Sequence, residues 1–280
     1  MVRAVPPGEY GRLIAPLDSI PFNTYFARTV LAGHLPGKVV ADGSSGSETA
    51  LVRHPYGMSL LFGSQENARF NSWLKGYMLG LGGHVPGHEW LQVHPASWKP
   101  VIEGMLGDGL VRKNVPQDMP TAGPEVPGKV MEYSRVNFRF DPSLHIPSEP
   151  PPWPVVRTDR GTFETMPGQV IPRFFWRDWA HFERDGIGYT AMAGGGPAAT
   201  AFAAFVHGRR VELGIETLPG FRGKGCARAA CSALIKHCIE RGLEPVWSCR
   251  LENEGSFRLA KRLGFEPSLY LPYYQLAGRH

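Results

Sequence analysis

The sequence predicts an α/β fold in two halves, because apolar or alternating segments typical of strands are interspersed with amphipathic helical segments. Residues 115–129 separate the halves with a run of proline and glycine that excludes regular structure. With 280 residues, the chain is long enough for two domains of ordinary size. We therefore predict an N-terminal α/β domain at residues 1–128 and a second domain at residues 129–280.

One spacing supports the prediction that the first half is a degenerate repeat of the second. Trp90 precedes Gly107 by seventeen residues, and Trp247 precedes Gly264 by the same number. Each tryptophan lies in a predicted strand, and each glycine ends the predicted helix that follows. This spacing favours a duplication, and a coincidence between strand–helix units of similar length stays open.

Local periodicity defines the elements of the N-terminal half. Helices are predicted at 23–33, 66–81 and 97–106, the first of them capped by Asn23. The strands of this half are predicted at 38–41, 49–53, 58–62, 90–93 and 110–113. The 66–81 helix is expected to bury an apolar face made of Phe70, Trp73, Leu74, Tyr77 and Met78.

The second half repeats nearly the same order of elements. A strand at 134–140 is expected to place Val136 and Phe138 on one face and Arg135 and Asn137 on the other. A helical stretch at 169–184 follows, and the glycines and proline at 194–197 predict a hairpin rather than a membrane span. The remaining strands are predicted at 189–193, 199–206, 211–217, 245–250 and 268–276, with helices at 225–241 and 253–263.

Composition and charge exclude several classes of protein. The net charge of +5 is scattered along the chain, which argues against nucleic-acid binding and suits a polyanionic small ligand. The first residues contain no apolar segment of signal-peptide length, and the four cysteines form no CxxC pair. We therefore expect a cytoplasmic protein with reduced core thiols. His84 and His88 are separated by Pro86 and flanked by glycines, so no metal site is expected.

The stretch FRGKGCARAAC, residues 221–231, has the composition of a phosphate-binding loop at the start of a helix. Unpaired N–H groups and the positive end of the helix dipole both favour an anion there. A Walker loop would need a hydroxyl residue after Lys224, where this chain has Gly225. A dinucleotide fingerprint would need a third glycine at the position of Arg228. The pattern that remains is R-x-x-G-x-A, formed by Arg222, Gly225 and Ala227.

This pattern resembles the [QR]-x-x-G-x-[GA] motif of the GCN5-related N-acetyltransferase (GNAT) superfamily. GIETLPGFRGKGCA at 214–227 and GLEPVWSCRLENEGSFRLAKRLGF at 242–265 are similar to a two-domain branch that includes the zwittermicin-resistance type of acetyltransferase. PFNTYFARTVLAGHLPG and GSQENARFNSWL extend the resemblance to the N-terminal half. The resemblance implies a GNAT fold in the second half, with a mixed, splayed central sheet, and acetyl-CoA as co-substrate. Its expected binding residues are Thr217, Arg222, Gly223, Lys224, Gly225, Cys226, Ala227, Asn253 and Ser256.

Two carboxylates and one tyrosine are candidates for the chemistry. Alternation along strand 211–217 places Glu212 and Glu216 on one face, from which either carboxylate could deprotonate an amine. Alternatively, both glutamates are solvent-exposed side chains without a catalytic role. In many GNAT enzymes a tyrosine protonates the departing thiolate, and this chain has Ala260 at the corresponding position. We therefore expect Tyr270 as the general acid, with Tyr273, Tyr274 or water as alternatives.

The predicted function is transfer of an acetyl group from acetyl-CoA to an amine on a small molecule. Two rival functions stay open: a non-catalytic acyl-CoA-binding protein, and a protein-modifying acetyltransferase that docks its target through the N-terminal half. The segment at 63–71 lacks the R-x-x-G-x-A pattern, so one acetyl-CoA per chain is expected. We expect the N-terminal half to close the acceptor side of the cleft, and a solubilising or homodimer-forming role is the alternative.

Overall fold

The computed structural model describes residues 2–43, 48–81, 89–113, 128–145 and 153–277. The chain divides into two compact units. Unit 1 comprises residues 1–136, 250–254 and 269–280, and unit 2 comprises residues 137–249 and 255–268. The predicted linker lies largely outside the described residues, and the boundary at residue 128 stays a prediction.

Strands and helices alternate through the first 140 residues. The α-helices are α1 (Tyr25–Leu31), α2 (Ala68–Met78) and α3 (Trp98–Leu106). The strands are β1 (Arg3–Ala4), β2 (Lys38–Ala41), β3 (Ala50–Arg53), β4 (Met58–Phe62), β5 (Trp90–His94), β6 (Leu110–Arg112) and β7 (Val130–Phe140). Short 3₁₀ helices lie at Pro7–Leu13, Ala15–Ser19 and Gly107–Gly109.

The rest of the chain follows the same alternation. Its α-helices are α4 (Arg160–Thr165), α5 (Trp179–Asp185), α6 (Cys226–Glu240) and α7 (Glu254–Arg262). Its strands are β8 (Val155–Arg157), β9 (Gly188–Ala193), β10 (Gly196–His207), β11 (Arg210–Thr217), β12 (Glu244–Arg250) and β13 (Phe265–Gln275). Further 3₁₀ helices lie at Pro172–Phe174 and Pro219–Phe221.

The sheet of unit 1 begins with the strand order β1-β2-β3-β4-β5. The pairs β1/β2, β2/β3 and β3/β4 are antiparallel, whereas β4 and β5 are parallel and connected through α2. The last residues of the chain complete this sheet, because Tyr274 and Gln275 of β13 pair with Leu91 and Trp90 of β5. Unit 1 therefore takes a central strand from the end of the sequence.

The sheet of unit 2 has the corresponding order, β8-β9-β10-β11-β12. The pairs β8/β9, β9/β10 and β10/β11 are antiparallel, and β11 and β12 are parallel and connected through α6. Strand directions, crossover helix and order therefore repeat those of unit 1. This agreement supports the predicted duplication and confirms the predicted α/β fold class.

The helices cover these sheets with complementary apolar faces. In unit 1, the fully buried Phe70, Leu74 and Met78 of α2 belong to the core that contains Leu61 and Leu91. The terminal strand contributes to the same core through Tyr274 and Leu276. In unit 2, α6 packs on β9, β10 and β11 and buries the predicted stripe of Ala230, Leu234 and Cys238.

One prediction about the second half is wrong. The helical stretch at 169–184 is interrupted, because Pro172 starts a 3₁₀ turn and Asp178 caps a new helix by accepting a hydrogen bond from His181 N at 2.7 Å. The predicted strand at 134–140 lies within β7, and its polar residues Arg135 and Asn137 are buried like their apolar neighbours Val136 and Phe138.

Strand β8 and helix α4, which are adjacent in the chain, were not predicted from the sequence. Asp159 caps α4 by accepting a hydrogen bond from Thr162 N at 2.8 Å, a signal that the sequence does contain. None of the helices in the described part of the chain is long and apolar enough to cross a membrane. His84 and His88 lie outside the described residues. Among the described residues, no three histidine, cysteine, aspartate or glutamate side chains are close enough together to hold a metal ion.

Candidate functional site

The central feature of unit 2 is the separation of two parallel strands. Strands β11 and β12 pair at Arg210↔Glu244, Val211↔Pro245 and Glu212↔Val246, and no register pair follows although both strands continue. Residues 213–217 and 247–249 therefore line a gap in the sheet of unit 2, and across this gap the two strands do not pair their backbone N–H and C=O groups with each other. The splayed sheet that the family resemblance implies is confirmed at this pair of strands.

Helix α6 follows β11 after the 3₁₀ turn at Pro219–Phe221 and presents an open N-terminus. Gly225 is its N-cap residue with φ 82°, a left-handed conformation that glycine adopts without steric cost. No side chain of the described residues caps this helix, so its first N–H groups keep their capacity to bind an acceptor. Gly223 also has a positive φ of 76°, and a Cβ at either glycine would meet nothing within 4 Å. Both glycines are therefore required by backbone conformation rather than by crowding within the protein.

Two cations flank this open helix end. The Arg222 side chain is 67% exposed, and its Nε donates a hydrogen bond to the carbonyl of Thr217 at 3.2 Å. Lys224 is exposed, with its ammonium 5.6 Å from the ring centroid of Phe221. The indole of Trp153 donates to the carbonyl of Lys224 at 2.9 Å and fixes the loop from outside. The loop thus combines positive charge with ordered backbone.

The first two residues of α6, Cys226 and Ala227, pack beneath the loop at 222–225. Cys226 is fully buried, and burial raises the pKa of its thiol, so this cysteine is a small packing residue rather than a nucleophile. Ala227 is partly buried and keeps the first turn slim. The other cysteines, Cys231, Cys238 and Cys249, are also buried, and none of them forms a disulfide within the described part of the chain. Burial raises the pKa of Cys238 to about 12.

Glu212 lies at the apex of the gap. Its side chain is only 6% exposed, and its Oε1 accepts a hydrogen bond from the hydroxyl of Ser248 at 2.8 Å. Ser248 is two residues beyond Val246, the last residue of β12 that pairs with β11. The carboxylate of Glu212 therefore lies between β11 and β12, at the point where the two strands begin to separate.

Glu216 has a different environment from Glu212. Its Oε2 accepts hydrogen bonds from the backbone N–H groups of Gln169 at 2.8 Å and Val170 at 3.0 Å. Its Oε1 accepts from Thr217 N at 3.1 Å. A Cβ at Gly168 would come within 2.5 Å of the Glu216 side chain, so this glycine permits the close approach. Glu216 thus fixes the segment at 168–170 against the end of β11.

The residues expected around the last helix lie near its start. Asn253 directly precedes α7, and its backbone N–H donates to the carbonyl of Arg250 at 3.0 Å. Ser256 lies in the first turn, where its hydroxyl accepts a hydrogen bond from the indole of Trp247 at 3.2 Å. Trp247 is one of the β12 residues beyond the last pair with β11. Ser256 is therefore tied to the wall of the gap.

The tyrosines considered as general acids occupy different environments. Tyr270 is 55% exposed, whereas Tyr273 and Tyr274 are buried. Burial raises the pKa of Tyr274, which opposes its ionisation. Tyr273 stacks on Trp90 with ring centroids 4.9 Å apart, as expected of a core aromatic. Tyr270 as the acid stays a prediction, and Ala260 is fully buried in α7.

The corresponding region of unit 1 lacks both features of this site. Strands β4 and β5 pair at five consecutive positions, from Met58↔Trp90 to Phe62↔His94, so they leave no gap over that length. The start of α2 is capped by Asn67, whose side chain accepts hydrogen bonds from the N–H groups of Arg69 and Phe70. The helix end that is open in unit 2 is therefore occupied by the protein itself in unit 1.

Ser248 and the segment at 168–170 were not identified from the sequence. The alternation along β12 would have placed Ser248 on the same face as Val246, but only the register with β11 brings it to Glu212. The sequence carries no comparable signal for the contact between Glu216 and the residues near Gly168.

Comparison with known proteins identifies the family of this region. Residues 163–274 match the family model described as GNAT acetyltransferase. A Bacillus subtilis (strain 168) protein named as the uncharacterized N-acetyltransferase YdfB is 24% identical over 256 residues, which cover 89% of each chain.

Solved structures share the fold along the full length of the chain. A GCN5-related N-acetyltransferase-like protein from Streptococcus suis superposes with a TM-score of 0.66 at 22% identity, covering 97% of this chain and all of its own. A GNAT-family acetyltransferase from Colwellia psychrerythraea gives 0.59 at 12% identity, covering 99% of both chains. A tandem GNAT protein from the clavulanic acid biosynthesis pathway also gives 0.59, at 11% identity, covering 100% of this chain and 99% of its own.

Proposed function

We propose that this chain, whose residues 163–274 match the GNAT acetyltransferase family model, transfers an acetyl group from acetyl-CoA to an amine on a small molecule. The observation that carries this proposal is the coincidence of two features in unit 2. The β11/β12 pairing ends at Glu212, and the loop that follows β11 leads into the helix α6, whose N-terminus has no side-chain cap within the described part of the chain.

The residues of the loop fit the donor. The free N–H groups of α6, the left-handed Gly223 and Gly225 and the cations Arg222 and Lys224 are suited to a pyrophosphate. Backbone groups along 213–217 and 247–249, which do not pair with each other across the gap, are suited to hydrogen bonding with an extended amide-containing arm. When bound, acetyl-CoA supplies the activated acyl thioester. Thr217, Asn253 and Ser256 are proposed to complete the donor site.

We assign the general base to Glu212. A base must take a proton either from the acceptor's ammonium before attack or from the amine as it attacks, close to the reacting centre. The carboxylate of Glu212 is at the apex of the gap and is oriented by Ser248. The Glu216 carboxylate is already engaged by three backbone N–H groups, so its role is to position the loop at 168–170. Between the two candidates, the geometry favours Glu212.

The acceptor class rests on the family's chemistry. An amine attacks a thioester only as the neutral species, so a buried carboxylate that accepts its proton raises the reactive fraction. The proton of the amine passes to Glu212, and the departing thiolate receives a proton from Tyr270 or water.

Turnover with a panel of amines tests the proposal. The purified chain is incubated with acetyl-CoA and primary amines of differing size, and release of free thiol is measured with a chromogenic disulfide. We expect amine-dependent thiol release together with an acetylated product of matching mass. Acetyl-CoA binding without turnover on any amine would contradict the catalytic proposal, whereas absence of binding would contradict the loop assignment.

A further inference from the structure

Unit 1 contains a group of aromatic and arginine side chains that the proposed reaction does not use. We call it the arginine–aromatic cluster, and its members are Trp90, Tyr133, Arg135, Arg250 and Tyr273. Trp90 stacks on Tyr273 at a centroid distance of 4.9 Å and an interplanar angle of 28°, and it contacts Tyr133 at 5.2 Å. The cluster therefore has a continuous aromatic wall.

The guanidinium of Arg250 lies against this wall. Its Cζ is 4.6 Å from the ring centroid of Trp90 and 5.4 Å from that of Tyr133. A second guanidinium, that of Arg135, lies 5.0 Å from the ring centroid of Tyr273. Contact with ring faces covers the flat side of a guanidinium and leaves its in-plane N–H groups for a planar, bidentate acceptor.

Arg250 has no anionic partner within the described residues. Its guanidinium makes ring contacts but no hydrogen bond or ion pair there, although the residue is only partly exposed. The carboxylate of Glu252 is near in sequence, yet its Oε1 accepts instead from Ser134 N at 3.2 Å. A cation partly removed from water without an anion is costly, and a bound carboxylate would offset that cost.

A buried amide supports a ligand site independently. The pairs Tyr274↔Leu91 and Gln275↔Trp90 place Gln92 opposite Tyr273, on the same face of the sheet as Trp90. Gln92 is fully buried, and within the described part of the chain neither atom of its amide has a hydrogen-bond partner. Unpaired buried amides are rare because each costs free energy, so this side chain has a donor and an acceptor available.

We propose that the arginine–aromatic cluster binds a small carboxylate that carries a planar apolar group. The carboxylate accepts two in-plane hydrogen bonds from Arg250, which is the pairing that guanidinium geometry favours. The planar group, coplanar with the guanidinium, then lies over the same wall of Trp90 and Tyr133. Gln92 supplies a further hydrogen bond on this face. Phosphate shares the affinity for guanidinium but has no surface to stack, so the aromatic wall favours the carboxylate.

Titration of the full chain with 4-fluorobenzoate, observed by ¹⁹F NMR line broadening, tests this site. We expect saturable binding that neutral 4-fluorobenzamide does not show. Arg250→Met should weaken binding about tenfold or more, because it removes charged hydrogen bonds. Arg250→Lys should recover only part of the affinity, since an ammonium lacks the bidentate fork. Arg222→Met, the same substitution in the loop before α6, should leave binding unchanged.

Gln92→Leu separates a binding role from a structural one. Replacing an unpaired buried amide by an apolar group should raise the melting temperature, while binding of 4-fluorobenzoate weakens several-fold. This variant also keeps the proposal testable if Arg250→Met does not fold. Unchanged binding in the folded Arg250 and Gln92 variants would overturn the proposal, as would loss of binding in Arg222→Met alone. Equally effective competition by inorganic phosphate would overturn the requirement for a planar group.

Discussion

Ser248 on β12 donates a hydrogen bond to Glu212 on β11 over 2.8 Å, just beyond the last residues at which the two strands pair. We predict that Glu212→Gln lowers kcat about a hundredfold or more while the Kd for acetyl-CoA stays within about twofold, because it removes a base and not a donor contact. Ser248→Ala should lower kcat less, since it removes only the hydrogen bond that orients the Glu212 carboxylate. Steady-state kinetics and calorimetry of both variants measure this, and wild-type kcat in Glu212→Gln would remove Glu212 from the mechanism.

Glu216 should behave as a structural residue. Glu216→Ala leaves the N–H groups of Gln169 and Val170 without their acceptor, so we expect a loss of about 2–3 kcal/mol in the free energy of unfolding. Glu216→Gln retains an acceptor oxygen and should lose less. Urea unfolding of the two variants checks the order. Full stability of Glu216→Ala combined with a large loss of kcat would instead identify Glu216 as the base.

The loop before α6 should bind the donor through its backbone. Acetyl-CoA at a hundred times Kd should stabilise the folded chain by about 2.7 kcal/mol, which a thermal melt detects. Gly225→Glu should abolish this shift, because it places a carboxylate beside the pyrophosphate. Gly225→Ala costs about 1 kcal/mol, because alanine disfavours the left-handed φ of 82°, but it adds no charge. A reduced increase in melting temperature with acetyl-CoA should therefore remain. Equal shifts in wild type and Gly225→Glu would refute the assignment.

One acetyl-CoA should bind per chain. The fully paired β4/β5 edge and the Asn67 cap leave unit 1 without the gap and the open helix end that unit 2 has. Isothermal titration calorimetry of the wild type should therefore give a stoichiometry of one, and Gly225→Glu should give none. Residual binding in that variant, or a stoichiometry of two, would show that unit 1 also holds the co-substrate.

Stability should depend on pH through His54 in unit 1. Burial lowers its pKa to about 4 from an ordinary value of 6.5, and its Nδ1 accepts a hydrogen bond from Tyr56 N. Between these pH values the unfolded chain binds a proton that the folded chain does not. The contribution of neutral His54 is therefore complete above pH 6.5 and falls by up to about 3 kcal/mol as the pH drops to 4.

His54→Asn keeps an acceptor for Tyr56 N and removes the titration. Urea unfolding between pH 4 and 7 should show a shallower loss of stability in this variant than in the wild type. Parallel pH dependences would show that His54 is protonated equally in both states.

The sequence predicts local elements well because their signals are local. The bounds of β2 and β4 match the predicted ones, and α6 starts within one residue of the position that Gly225 indicates. The R-x-x-G-x-A pattern also identifies the loop, because the positive φ of Gly225 demands a glycine.

Contacts between distant segments could not be predicted in this way. Alternation along β11 treats Glu212 and Glu216 alike, and only their partners distinguish them. Those partners, Ser248 and the backbone at Gln169, lie 36 and 47 residues away. Similarly, no periodic signal in the terminal strand indicates that Tyr274 belongs to the core of unit 1.

The pairing of β13 with β5 has a consequence for biosynthesis. A ribosome makes the first 136 residues of unit 1 early, but the edge of β5 that receives Tyr274 and Gln275 stays uncovered until those residues emerge. At about 5–20 residues per second, this delay is on the order of ten seconds or more. Synthesis of unit 1 therefore starts before that of unit 2 and is completed after it. A nascent chain released before residue 269 would expose a bare strand edge and lack the core side chains Tyr274 and Leu276, features by which chaperones and proteases distinguish incomplete chains.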